Sequence, residues 1–224
     1  MRHRCTEYFI LLDHLELSFS AVVRKNIKNP PEPLEERCCP DQMVGTLGQL
    51  KIDGRITQRS AVSARDKHSA VLLIIESPHI SEFKGVPGPA KGKTGKELAK
   101  HALSVPGLQG WGNAPVVLIN AIQYQCSLGK KTALYRDEVF LATWYKFGRS
   151  DFIARLKALH QPNDLVVCAC TKGGATRKGV SLRQLVYAAI VDALPRETLI
   201  LRRTHPYSWH SKRNRDSEWV MFDT

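Results

Sequence analysis

Long apolar runs are missing from this 224-residue chain. Stretches such as Ala70–Ile75 fall far short of the roughly 20 residues that a membrane-spanning helix needs. The apolar N-terminal stretch Tyr8–Leu12 is interrupted at once by Asp13, His14 and Glu16, with no small-residue cleavage site, which argues against an export signal. Cysteine is scarce, six residues in all, too few for a disulfide scaffold. Cys168 and Cys170 lie in an apolar run, where a reduced thiol acts as a small hydrophobe, so a reducing cytoplasm is expected. Acidic residues are also short: 33 Lys and Arg against 21 Asp and Glu leave 33 − 21 = +12. Such an excess predicts a polyanionic partner, most simply nucleic acid; the short apolar runs predict no membrane partner.

Apolar residues make up 43% of the chain, enough for a full core and too many for a disordered tail. Residues 1–29 carry a helix-like pattern (Phe9, Leu12, Leu15, Leu17) that ends before Asn29-Pro30-Pro31-Glu32-Pro33, where prolines deny backbone donors. Thr46–Ile56, with Asp53-Gly54 at its centre, reads as a small hairpin. Residues 1–66 are taken as an N-terminal extension and 67–224 as the main domain. In that domain four short apolar runs recur: Ala70–Ile75, Pro115–Asn120, Asp164–Cys170 and Thr198–Arg202. Helical spacing fills the intervals near Thr94–Leu103, Arg136–Leu159 and Ser181–Leu194. Apolar strands alternating with helices predict an α/β fold, a three-layer α/β/α sandwich around a mostly parallel four-stranded sheet. Such sheets bind ligands at the carboxyl ends of their strands.

At those ends stand chemically active residues. The first strand leads into Glu76-Ser77-Pro78-His79 and Glu82, then into a Gly-rich basic loop, Gly85 to Lys96. The second ends at Asn120, the third at Thr171-Lys172-Gly173-Gly174, the fourth at His205-Pro206-Tyr207-Ser208-Trp209. Singly, Glu76 reads as a helix cap, Asn120 as a turn residue and His205 as the partner of a carbonyl; together they predict one site. The stretch Pro87–Thr94 nearly spells a phosphate-binding P-loop. Pro87 stands where the motif needs glycine, and more than ten residues separate Ile75 from the glycines, so nucleotide hydrolysis through Lys93 and Thr94 stays a minor alternative.

These blocks, in this order, resemble the uracil-DNA glycosylase superfamily, nearest the branch with a Glu-Ala-Pro-Gly first motif. Glu76-Ser77-Pro78-His79 resembles that motif, Gly92-Lys93-Thr94-Gly95-Lys96-Glu97-Leu98 the Gly-x-x-Gly-Lys-x-Leu helix start, Leu118-Ile119-Asn120 the strand end whose Asn reads the base, and His205-Pro206-Tyr207-Ser208-Trp209 the closing His-Pro-Ser motif. The resemblance covers about residues 69–224. It implies a monofunctional DNA glycosylase that acts as a monomer on single- or double-stranded DNA, in repair or in defence against foreign DNA. Glu76, with Glu82 as second choice, would orient water and stabilise the cationic sugar; Ser77 would hold the water; His205 would donate to the base oxygen. Asn120 would read the base, with Pro78 and His79 beside it.

The family's stacking Phe is replaced at the corresponding position by Ala90, which implies a base bulkier than uracil, such as a hypermodified cytosine of phage DNA. Lys91, Lys93, Lys96, Ser208, Ser211, Lys212, Arg213 and Arg215 would contact phosphates, and Trp209 would wedge into the vacated stack, unless it packs in the core. The iron–sulfur branch needs four thiolates; Cys5, Cys38, Cys39 and Cys126 do not match its spacing, so neither a cluster nor zinc nor any other cofactor is expected. A uracil-excising repair enzyme and a non-catalytic nucleic-acid-binding protein are the alternatives.

Overall fold

The computed structural model describes residues 18–66, 68–128, 134–174, 176 and 179–220. Cys5 and the Tyr8–Leu17 part of the expected first helix lie outside these residues. Helix α1, Phe19–Asn26, is capped by Ser18, whose hydroxyl accepts from Ala21 N at 3.2 Å.

Six strands form one mixed sheet: β1 Gln42–Thr46, β2 Ser60–Ala61, β3 Val71–Ile75, β4 Pro115–Asn120, β5 Leu165–Cys168 and β6 Leu199–Arg202, in the order β2-β1-β4-β3-β5-β6. The last four in the chain run parallel, with β3 pairing to both β4 and β5 and β5 to β6. Strands β1 and β2 add antiparallel pairings beyond β4. The expected four-stranded sheet is therefore six-stranded, because residues 42–61 of the segment read as an extension lengthen its edge.

Strand β3 shows why the sheet sits at the centre. All five of its residues are buried. Leu72 and Ile74 face a core built from α1, α4 (Arg136–Thr143), α5 (Arg149–Leu159) and α6 (Leu182–Ala193). Val71, Leu73 and Ile75 face the other core, where α2 (Leu47–Asp53) and α3 (Lys93–His101) supply Leu47, Leu50, Leu98 and Ala99. Helices thus cover both faces. Alternate side chains of one strand serve opposite cores, which is why the run carries no polar residue.

The expected hairpin at Thr46–Ile56 is helix α2. Leu47 and Leu50 are buried one helical turn apart, Thr46 caps the start through Gln49 N, and Gly54, at φ 63°, ends it in the left-handed region. An Asp-Gly pair serves a hairpin turn and a helix C-cap equally well, and the apolar spacing decided here for the helix. The segment 136–159 is helical as expected but contains a π-helical turn, Trp144–Gly148, which buries Trp144. No helix among the described residues is long and apolar enough to cross a membrane.

Candidate active site

The carboxyl ends of β3, β5 and β6 surround a cavity of about 490 Å³. Glu76, Ser77, Pro78, His79 and Glu82 line it from the segment after β3, and Thr171 and Lys172 from the turn after β5. Thr204, His205, Tyr207 and Ser208 close the side after β6, with Asn214 from α7 (Lys212–Asp216). Arg136 opens α4, and Arg183 stands in the first turn of α6; both also face the cavity.

Glu76 is buried and held at both oxygens. Thr171 N donates to Oε2 at 3.0 Å, and Arg136 Nε lies 3.3 Å from Oε1. Burial raises its carboxyl pKa above the ordinary range, while Arg136 and the Thr171 amide pull it back. Arg136 is steered in turn by Asp137, 2.8 Å from its Nε, whose other oxygen accepts from Gly174 N at 2.5 Å. This arginine was not singled out by sequence. Nothing in a helix's first residue announces a carboxylate sixty positions earlier in the chain.

His205 caps a short 3₁₀ turn, its Nδ1 accepting from Tyr207 N at 3.2 Å. That bond places the proton of the neutral ring on Nε2. Desolvation first, then the nearby Arg136 charge, push its pKa down to about 4, so the imidazole is neutral at physiological pH. A neutral N–H donor therefore shares one cavity with a buried, ion-paired carboxylate.

Glu82 plays a different part. Its Oε1 accepts from Ala90 N at 2.9 Å, its backbone carbonyl accepts from Gly88 N, and burial drives its pKa up to about 8. Protonated at neutral pH, it organises the Gly-rich loop and is unsuited to stabilise a cation. Ser77 hydrogen-bonds the buried Cys126 thiol. His79 caps the turn Ile80–Phe83 through Ser81 N.

Several expected site residues sit elsewhere. Asn120 is fully buried, 3.5 Å from Cys39 Sγ, and does not line the cavity; the Cys39–Asp41 segment leading into β1 covers its end of β4. Asn214 is the amide side chain that does face the cavity. Ala90 packs in the core beside Leu98 and Trp209, so it forms no wall of the cavity. Its φ of 53° brings its carbonyl oxygen so close to Gly95 that any side chain there would collide. Trp209 is wholly buried, with Nε1 donating to Thr204 O at 2.9 Å, and is therefore a core residue rather than a wedge. Tyr207 is the exposed aromatic at the mouth, 47% accessible, with Lys93 Nζ 4.6 Å from its ring centre.

The expected phosphate contacts divide. Lys93, Lys96 and Arg213 are exposed, and Ser208 lines the cavity. Ser211 is half-buried at the N-cap position of α7. Lys91 Nζ donates to Lys84 O at 2.6 Å and to Val86 O at 2.5 Å, tying the loop to itself. Lys212 pairs with Asp216, and Arg215 holds Trp209 O at 2.7 Å. Lys91 and Arg215 thus hold backbone carbonyls, while Lys212 stays exposed in a surface ion pair.

Among the described residues no group of three or more His, Cys, Asp or Glu side chains could hold a metal ion. No protein-family model, curated protein or solved structure matches the chain.

Proposed function

We propose that the protein is a DNA glycosylase, which hydrolyses the N-glycosidic bond of a flipped-out modified base and leaves an abasic site. The observation that carries this reading is that Glu76 and His205 line one cavity at the carboxyl edge of parallel strands. Cleavage of a base–sugar bond builds positive charge on the sugar and negative charge on the base. Glu76 is held by Arg136 and the Thr171 amide, which oppose the rise in its pKa that burial causes; in its ionised form it orients water and stabilises the sugar cation. His205 Nε2–H donates to the base oxygen as charge develops there. On this reading Asn214 and Tyr207, which both line the cavity, read the base edge and stack at the mouth.

The cavity, about 490 Å³, has space for on the order of fifteen waters, enough to take a flipped base together with its sugar, and Ala90 contributes nothing to its size. The overall excess of positive charge supports DNA as the carrier.

The test is single-turnover incubation with DNA containing uracil, hypermodified cytosines or alkylated bases. Released bases are read by mass spectrometry and abasic sites by alkaline cleavage. Glu76→Gln and His205→Ala should each slow release by about 10²–10³-fold, the loss typical of one such group, with DNA affinity within threefold of wild type. Tight DNA binding with no base released from any substrate would instead indicate a non-catalytic binding protein.

A further inference from the structure

Two of the three cations that line the cavity have no acidic partner among the described residues. Arg136 is engaged by Glu76 and Asp137. Lys172 and Arg183 form no ion pair with any described residue; both line the cavity, and their backbone segments meet where Leu182 N donates to Lys172 O at 3.0 Å. Lys172 also follows Thr171, whose amide holds Glu76, so Lys172 stands at the carboxylate side of the cavity.

Arg183 is fixed in place without being satisfied. Its guanidinium carbon lies 5.0 Å from the centre of the Trp219 ring. Trp219 is itself anchored, with Nε1 donating to Arg203 O at 3.2 Å and Tyr187 edge-on at 5.4 Å. Arg183 Nε has no solvent exposure and no acceptor among the described residues. Nε is closed to a ligand, whereas the two terminal nitrogens of this stacked arginine make no hydrogen bond with a described residue and are the ones that can meet an oxyanion entering the cavity. A guanidinium fork matches phosphate geometry at two oxygens, and the Lys172 ammonium adds a second positive charge to the cavity.

We propose that Arg183 and Lys172 form a phosphate-binding subsite inside the cavity that Glu76 also lines. The subsite deepens the glycosylase reading and rests on it only for the carrier: the phosphate belongs to the nucleotide whose base is excised. Either an internal phosphodiester of DNA or the terminal phosphate of a nucleotide supplies this chemistry.

The experiment uses the full chain at constant ionic strength. Inorganic phosphate, a deoxynucleoside 5′-monophosphate and a short single-stranded oligonucleotide are titrated in turn by calorimetry. Arg183→Met, Arg183→Lys, Lys172→Met and Lys157→Met are compared with wild type. Lys157 is exposed near the end of α5, before β5 begins at the opposite edge of the sheet, and serves as control.

Saturable binding of inorganic phosphate, weakened at least tenfold by Arg183→Met, severalfold by Lys172→Met and not by Lys157→Met, supports a site for the phosphate group itself. Binding only of the monophosphate or the oligonucleotide, with the same ranking of the variants, supports the subsite and identifies the carrier. Arg183→Lys should fall between wild type and Arg183→Met, because it keeps the charge and loses the fork. If Arg183→Met does not fold, Lys172→Met and Arg183→Lys carry the comparison. Affinities equal to wild type in every folded variant, or no binding of any probe, overturn the proposal. Phosphate binding is measured without base release, so its loss and the failure of glycosylase activity are separate results.

Discussion

Two aromatics two positions apart divide their work by burial alone. Trp209 fills a core and donates to Thr204 O, whereas Tyr207 stands at the cavity mouth. Trp209→Ala should therefore cost about 3–5 kcal/mol of stability, the range for large buried aromatics, read as a lower denaturation midpoint. Tyr207→Ala should leave that midpoint within experimental error and weaken DNA binding by about 1–3 kcal/mol, the value of one base–aromatic stack. The reverse pattern would exchange their roles.

Glu82 gives a pH prediction. Its ordinary pKa of 4.5 applies unfolded, and burial raises it to about 8 in the fold. The unfolded chain thus releases this proton at lower pH, and the associated stability is lost as pH rises from about 4.5 through 8. Glu82→Gln mimics the protonated form and does not suffer this loss. The melting temperature of the variant relative to wild type should climb between pH 5 and pH 8; a constant difference would mean that Glu82 ionises normally.

At the scale of elements, strands β3 to β6 were legible because each is a short apolar run confined between helices. Glu76, the Thr171–Gly174 turn and His205 were located by the rule that such strands end at the site. What the sequence concealed depends on packing between distant segments. Helix α2 and the pairing of β1 and β2 were hidden because their residues are mixed and partly exposed. Asn120 stands at a strand end, as a site residue would, and only the fold brings the Cys39–Asp41 segment over it. Trp209 and Tyr207 could not be told apart, since a short 3₁₀ turn has no period that separates buried from exposed positions.

The same covering segment carries an internal ion pair: Arg155 on α5 bonds Asp41 Oδ2 at 2.6 Å and the Asn120 carbonyl at 3.0 Å. Removing one partner of a buried pair strands the other charge. Asp41→Ala should destabilise the protein by about 3–5 kcal/mol, measured by urea denaturation, although Asp41 does not line the cavity. A loss below about 1 kcal/mol would show that Arg155 is satisfied by its carbonyl acceptors and Asp151.

Over the whole molecule, the excess of 33 − 21 = 12 positive charges sets the strength of long-range attraction, while only some cations are free to touch DNA. Lys93, Lys96 and Arg213 are exposed and form no ion pair with a described residue, whereas Lys91 and Arg215 hold backbone carbonyls and the exposed Lys212 is paired with Asp216. Replacing the first three with Gln should reduce the slope of log affinity against log salt by about 0.9 for each duplex phosphate that is no longer neutralised. Replacing the second three should change the slope less and the melting temperature more. Equal slopes for the two triple variants would place the DNA path on another face.

The Tyr207 amide occupies the Nδ1 lone pair of His205. While Nε2–H is engaged, the imidazole has no second nitrogen through which to recruit a proton. In the proposed reaction the severed nucleobase consequently departs as an anion and is neutralised only later, by bulk water. Electron-withdrawing ring substituents, which make the free base more acidic, should then accelerate scission, and electron-donating ones should retard it. A steep linear relation between rate and leaving-group acidity is the signature of this one-way donor.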